Sequence, residues 1–469
     1  METIIQQIAQ KFTQEITKKA CSQEMRNLDA LATELLGDCK AAARELLEAA
    51  ASELNLQIRK DKAGRKEQGL VLKEPLRPRK LVTELGELNL KRDYYWNKTQ
   101  GKYVAVLDHV IGIKAYERVG DSLKAKLVEL ATEVSYGKSA AMAGEGQLSR
   151  QTVRNYVLKL PALEKDVAEE QKRVVKELHV YADEDHVHLQ KPGKAKGKKN
   201  RIVPIVTVTE GIKEESKGRN RTIEPMHFVE ESFDPKALWS SVEGYIKKRY
   251  DVEKLEKLYL HGDGGAWIKT GLEGVAQRQH VMDGYHLEKR LKDISGRYPK
   301  KQVGVRLKKA IKGNDRSQAD SILQRLYEEE REAARQEYIM KLGTYLMGNW
   351  DSIVARMTLE IPGSCTEGQV SHVLSERFSR DPQGWSEEGL GKLSKHRVYV
   401  KNGGKIKGRD FQKSMSESYK EYAERMLEES LQGAFDWSLF EPQQQVFDGA
   451  SGTQTLIQGM GSLKNTLFH

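Results

Sequence analysis

Two stretches decide the reading of this chain: Leu178-His179-Val180-Tyr181-Ala182-Asp183-Glu184-Asp185 and Leu258-Tyr259-Leu260-His261-Gly262-Asp263-Gly264-Gly265. Each runs an apolar, strand-like segment into an aspartate. A third acidic motif, Ser364-Cys365-Thr366-Glu367-Gly368, opens an amphipathic helix. Carboxylates placed in this way can converge over the edge of one sheet. Two hard divalent cations with oxygen ligands, bridging a phosphodiester, need that arrangement. The fold class this implies is α/β.

A single aspartate at a strand end is ordinarily a turn or a helix cap. Two of them, widely separated in sequence but each preceded by a strand, carry more weight. Asp183 directly follows its apolar segment and is the first carboxylate of choice; Asp185 competes for the role. Gly264 and Gly265 allow the backbone to approach a phosphate closely. In the helix begun by Glu367, Val370, Val373, Leu374 and Phe378 form the buried face, which lets Glu367 lean toward the sheet edge. The bland role for Glu367 is a first-turn residue favoured by the helix dipole. Val281-Met282-Asp283-Gly284-Tyr285-His286 ends another short strand and opens a helix. Asp283 and His286 are expected to support or position the site, or else to be a cap and a surface histidine.

The 469-residue chain has 78 basic and 68 acidic residues, a net charge of +10, so a polyanionic partner fits. No run of 18 apolar residues is present to span a membrane, and Met1-Glu2-Thr3-Ile4 lacks the basic-then-apolar pattern of a secretory signal. Cys21, Cys39 and Cys365 form neither a metal-ligand spacing nor a disulfide framework. A reduced, cytoplasmic setting follows.

Residues 1–57 read as a helical hairpin broken at Gly37-Asp38, with Ile4, Ile8, Phe12 and Ile16 on one stripe and Leu46, Leu47, Ala50 and Leu54 on the next. Residues 58–118 read as a basic linker, to about residue 80, and a small antiparallel element over 81–106 with a turn at 97–102. Residues 119–165 read as a helix-turn-helix. Its second helix is capped by Ser149, buries Val153, Tyr156, Val157 and Leu160, and presents Arg150, Gln151 and Arg154 to DNA. Residues 176–283 are strand-rich. They contain a basic loop with Lys191, Lys194, Lys196, Lys198, Lys199 and Arg201, expected to grip phosphates. Residues 284–360 are helical, 361–445 continue the core with C-terminal helices, and 446–469 form a loose tail rich in Gly, Ser, Thr and Gln.

The order of Tyr-Ala-Asp183-Glu-Asp-His, Gly-Asp263-Gly-Gly-Ala-Trp-Ile, Met-Asp283-Gly-Tyr-His286 and Cys-Thr-Glu367-Gly-Gln-Val-Ser-His resembles the ISLre-type bacterial insertion-sequence transposases, part of the mutator-like group of DDE transposases. The resemblance runs from the N-terminal helices through Trp385. It implies an RNase H-like catalytic domain carrying Asp183, Asp263 and Glu367, with a large helical insertion between the last two. Asp283 and His286 match that group's Cys/Asp-x-x-His signature. Some relatives carry a cysteine-bearing, zinc-ribbon-like segment near the small sheet; residues 81–106 hold no cysteine, and no zinc is expected there.

The function implied is binding of the element's terminal repeats, followed by DNA strand cleavage and strand transfer with two Mg²⁺ or Mn²⁺ ions. The partners would be double-stranded DNA and a second copy of the chain, in a bacterial nucleoid. The competing readings are an inactive or domesticated copy that only binds DNA, and a zinc hydrolase using His261, Asp263 and His286.

Overall fold

The computed structural model describes residues 2–20, 27–144, 146–165, 171–190, 200–216, 219–275, 277–361, 366–381, 383–412 and 425. It is mixed α/β and divides into two compact units, one holding Met1–Arg118 and Ser414–His469 and the other Val119–Lys413. The tail expected over 446–469 lies outside the described residues.

In the first unit, helix Glu2–Ala20 pairs antiparallel with helix Leu28–Lys60, as the ion pairs Lys11–Glu45 (2.8 Å) and Lys19–Asp38 (2.7 Å) require. The break expected at Gly37-Asp38 is absent: both residues lie inside the second helix. One glycine costs a helix about 1 kcal/mol, and the packing of a 33-residue helix outweighs it. Asn27 caps that helix by accepting from the Ala30 amide.

The linker expected over residues 58–80 is likewise a correction. The helix runs on to Lys60, a short helix spans Lys62–Glu67, and strand β1 (Leu70–Thr83) is already under way. It pairs antiparallel with β2 (Gly86–Asn97), which pairs with β3 (Lys102–Val104). The charges misled the reading because several of them point inward. Pro75 and Pro78 are tolerated because β1 is an edge strand, irregular between Leu72 and Arg77.

Asp93 on β2 is fully buried and ties the unit together. Its carboxylate accepts from Arg59 Nε (2.6 Å), the Leu76 amide (3.0 Å) and the Tyr95 hydroxyl (3.2 Å), while Asn55 receives its own amide. Burial pushes the carboxyl up, but the bonds from Arg59, Leu76 and Asn55 outweigh it and hold the pKa below the ordinary value.

The second unit is built on a five-stranded sheet. Its strands are β4 (Glu177–His188), β5 (Asn200–Thr209), β8 (Met226–Phe228), β9 (Lys257–Gly262) and β10 (Arg278–Met282), in the spatial order β10-β9-β4-β5-β8. β5 runs antiparallel to its neighbours; β4, β9 and β10 are parallel. A separate ribbon joins β6 (Gly211–Ser216) to β7 (Arg219–Ile223). Alternation splits the sheet's faces. Leu178, Val180, Ala182, Val206, Val208, Leu258 and Leu260 form one core with helix Pro235–Arg249. His179, Tyr181, Asp183 and Asp185 share the other face.

Between β10 and residue 358 the chain is helical: Gly284–Arg297, Val303–Lys312, Arg316–Glu329, Ala333–Gly348 and Trp350–Thr358. These helices have a core of their own around Leu287, Leu307, Leu323 and Leu346. Trp350–Thr358 returns to pack on β10. Ahead of the sheet lie three helices rather than two, because the small-residue stretch from Ser139 is itself helical: Asp121–Glu133, Tyr136–Gly144 and Arg150–Lys159.

Replacing Asp93 with Ala should cost the first unit about 3 kcal/mol at neutral pH, since Arg59 and the Leu76 amide lose their acceptor. A depressed carboxyl pKa contributes stability above its unfolded value of about 3.9 and loses it as pH falls through the folded value. The gap between variant and wild type in urea unfolding should therefore narrow below about pH 4; a gap unchanged by acid would assign the cost to lost packing.

Candidate active site

The site is positioned by the pairing of β4 with β9. Tyr181 stands opposite His261, the last pair of the parallel register; Asp183 follows two residues further along β4 and Asp263 just past the end of β9, near enough for their charges to interact. The rings of Tyr181 and His261 stack with centroids 4.3 Å apart, so those two side chains share a face. Alternation puts Asp183 next on that face of β4. Asp183 is not at a strand end, as the sequence suggested. β4 continues unbroken to His188 because β5 pairs with it from His179 to His188, whereas β9 stops at Gly262.

Beyond β9 the chain turns sharply. Asp263 Oδ1 accepts from the Gly265 amide at 2.9 Å, and Gly264 has φ +88°. A Cβ on Gly264 would stand 2.4 Å from Asn349 Oδ1, so the turn needs glycine twice over, for conformation and for space. On the next strand the Asp283 amide donates to Gly262 O (2.8 Å), bringing Asp283 beside the same turn. Asp283 is buried and caps helix Gly284–Arg297, accepting from the Tyr285 (2.9 Å) and His286 (3.2 Å) amides. It is thus a cap, and one that holds His286 over the site.

The electrostatics tie these four residues together. Burial pushes the Asp183 carboxyl up to about 6; the Glu184 amide and His286 oppose the shift, and the negative charges of Asp263 and Asp283 add to it. Asp185, left open as an alternative, shares that face of β4 but is bonded to other groups. Both its oxygens accept from the Ser379 hydroxyl at 3.0 Å, and it also takes the His186 amide. It anchors the C-terminal end of the helical segment that Glu367 begins, and Asp183 is the partner of Asp263.

That segment runs Thr366–Val370, then a π turn over Ser371–Ser375, then Glu376–Phe378, and its first turn lies against β4. Val370, Val373, Leu374 and Phe378 are its buried face, as their spacing predicts. The backbone of Glu367 lies in the first turn; its side chain is outside the described residues. Among the described residues no three His, Cys, Asp or Glu side chains form a metal-holding group. The zinc set His261, Asp263 and His286 is not gathered either: His261 is buried and hydrogen-bonded to His179 at 3.1 Å, with burial holding both imidazoles neutral.

Several supports had no sequence signal. Arg397, almost fully buried, donates to Thr132 O (2.6 Å), His372 O (2.8 Å) and Val373 O (2.5 Å), joining helix Glu387–Lys401 to the π turn and to the end of helix Asp121–Glu133. Arg377 adds a bond to Ala131 O (2.9 Å) and lies over the Trp385 ring. Asn349 and Arg356 come back from the helical region to the turn and to Gly284. The spacing of arginines in a helix does not reveal which of them face carbonyls in a fold.

The residues expected to contact DNA separate clearly. Arg150 and Gln151 are exposed, with Gln151 bonded to Asn155 at 2.9 Å, and Arg154 is half-buried. Ser149 caps their helix, and Val153, Tyr156 and Val157 are buried beneath it. Arg201 is engaged with Ser232 O, the Phe233 ring and Glu387, so it is an anchor of the fold. Lys194, Lys196, Lys198 and Lys199 lie outside the described residues.

Two neighbouring aspartates, one on β4 and raised to about 6, the other just past the end of β9, form a hard-oxygen donor pair that suits a divalent cation. In metal-free protein, a carboxyl raised in the folded state costs stability as pH climbs from about 4 through about 6. Asp183→Asn should therefore be more stable than wild type above that window, by about 1–2 kcal/mol after allowing for partial exposure. The difference should vanish below about pH 4; equal melting temperatures across the range would place Asp183 in an ordinary solvated setting.

The family described as uncharacterised protein family UPF0236 matches residues 21–415. The UPF0236 protein TTE2489 of Caldanaerobacter subterraneus subsp. tengcongensis is 34% identical over 414 residues, covering 87% of this chain and 86% of its own. A second from that organism, named TTE0610/TTE0881/TTE1053/TTE2432, is 34% identical over 413 residues, covering 87% and 85%. A third, whose name joins eleven designations from TTE0033 to TTE2212, is 33% identical over 411 residues, with 87% and 85% covered. A match over most of its length, with relatives aligned nearly end to end, means that the chain belongs to the UPF0236 family.

Proposed function

We propose that this protein is a DDE transposase of the ISLre type, which binds the ends of an insertion sequence and carries out DNA strand cleavage and strand transfer. The observation that carries the reading is the nearness of Asp183, on β4, to Asp263, just past the end of β9, with the helix Thr366–Val370 that carries Glu367 packed on β4. The strand order also supports an RNase H-like core. Numbered along the chain the five strands lie 3-2-1-4-5 with the second reversed, which is the order that such a core has.

Two further features favour a polyanionic substrate. A cleft of about 760 Å³ opens beside Gly284, lined by Lys289, Lys292, Lys308, Lys312 and Arg356 against Glu288 and Asp293. A backbone phosphate entering there would meet a surplus of positive charge next to the carboxylates. The eleven designations joined in one relative's name are what copies of a mobile element, spread round one chromosome, would produce.

In this reading Asp183, Asp263 and Glu367 hold the divalent ions, Mg²⁺ or Mn²⁺. When bound, such ions supply Lewis acidity toward the phosphate and lower the pKa of a coordinated water or 3′-hydroxyl. The chain's own contribution is placement. The β4–β9 register fixes two donors; Asp283 orients His286; Asn349 and the glycine turn fix the approach of Asp263. The cationic cleft holds the strand, and the exposed Arg150 and Gln151 contact the element ends.

Asp263→Asn keeps the size and removes the charge. It should abolish Mg²⁺-dependent nicking and joining of terminal inverted repeats while leaving their binding equal or slightly tighter, since a negative charge near phosphate is gone. Near-normal nicking by this variant would remove Asp263 from the site. A wild type that binds the repeats but never nicks them would favour the DNA-binding-only copy. Mn²⁺ should replace Mg²⁺ and Ca²⁺ should not, because its larger and looser shell fits in-line geometry poorly. Equal rates in all three would refute that ion preference.

A further inference from the structure

The β1–β2–β3 sheet of the N-terminal unit walls a cleft of about 690 Å³. Arg77, Arg79, Lys80, Arg92 and Arg118 line it against Glu87, Asp108 and Glu117, so its balance is cationic. The floor is the sharpest part. Arg79 and Arg92, both largely buried, converge on the single carboxylate of Asp108. Glu117 also acts on Arg79, but five cations against three carboxylates still leave the cleft a surplus of positive charge, part of it where solvent screens it least. Arg77, at the rim, lies over the Tyr94 ring at 4.7 Å.

The other wall is aromatic. Tyr94 and Tyr103 stack with centroids 5.9 Å apart and planes 17° apart, and Trp96 meets Tyr103 edge-on at 5.0 Å. That backing fixes the orientation of Tyr103, which is 55% exposed. Across the cleft Tyr116 is 96% exposed and sits at φ +61°, a conformation an aromatic residue rarely adopts. The strain is held by Arg79, whose Nη2 donates to Lys114 O (2.8 Å) and Glu117 O (2.7 Å) on either side of it. One residue thus charges the floor and sets a tyrosine outward, and strain maintained in this way marks a functional position.

We propose that this cleft binds single-stranded DNA, with unpaired bases stacked on Tyr103 and Tyr116 and the phosphates against Arg77, Arg92 and Arg118. Exposed rings beside guanidinium groups are the two halves of such a site: the rings meet the faces of bases and the cations track the backbone. A duplex keeps those faces inside its own stack and would leave both rings idle. An acidic peptide would satisfy the arginines and waste the rings in the same way. The proposal goes beyond the cleavage reading and uses neither Asp183 nor Asp263.

The test is fluorescence anisotropy with the full-length protein, using a labelled oligothymidylate of about 12 nucleotides and a duplex of the same length. Tyr103→Ala combined with Tyr116→Ala should weaken binding of the single strand about tenfold or more, with duplex affinity unchanged. The Tyr103→Phe, Tyr116→Phe pair keeps the rings and should bind as wild type does. Arg77→Ala should weaken single-strand binding and flatten its salt dependence. Wild-type affinity in the double Ala variant overturns the proposal, and so does an equal loss on single strand and duplex. Asp263→Asn should bind the oligonucleotide normally, so failure of the cleavage reading shows in nicking alone and leaves this measurement untouched.

Discussion

The parallel pairing of β4 with β9 is the constraint on which the rest of the second unit depends. Side chains on a strand alternate between faces, so a slip of one residue would carry Asp263 to the apolar side and leave Asp183 alone. The register is held on both faces at once. On one, Leu178, Val180 and Ala182 interleave with Leu258 and Leu260 in the core beneath helix Pro235–Arg249. On the other, the rings of Tyr181 and His261 stack and a hydrogen bond joins His179 and His261. Burial is also what raises the Asp183 carboxyl. The burial that accompanies this register therefore also makes Asp183 costly to ionise.

Elsewhere the chain holds itself together with buried charge. Asp93 gathers Arg59, the Leu76 amide and Tyr95 in the first unit, and Arg397 gathers three backbone carbonyls in the second. Such groups are poor sources of net stability but demanding about geometry, because a partner lost in a low-dielectric setting leaves a charge uncompensated. Arg397 and Arg377 both fix the segment that Glu367 opens, and that segment contains a π turn, an irregularity often retained near functional positions. Rigid anchoring behind the segment is what a carboxylate on its first turn needs if it is to meet ligands on the sheet.

How the positive charge is used differs from place to place. Arg79, Arg201 and Arg397 are engaged by the fold, each donating to backbone carbonyls. The lysines along helices Gly284–Arg297 and Val303–Lys312 stay at the surface of a cleft. A net charge of +10 cannot separate these uses. It was this confusion that made residues 58–80 look like a linker: their cations are those of a helix end and an edge strand, partly turned inward.

The sequence by itself determined the local facts. The alternation before Asp183 and Asp263, the Ser149 cap, the apolar face behind Glu367 and the glycine turn after Asp263 all follow from steric rules that act over a few residues, and they were legible as such. Only the tertiary structure showed what surrounds each of the two candidate carboxylates on β4. Asp183 and Asp185 share a face of one strand and differ only in what lies opposite each: the end of β9 for one and Ser379 for the other. It also decided that Gly37 stays within a helix, where long-range packing overrides a weak local preference. It alone showed which arginines are buried, since a guanidinium finds its partners among carbonyls hundreds of residues away. Local sterics are written in neighbouring residues; pairings across the fold depend on backbone positions that exist only once the chain has closed on itself.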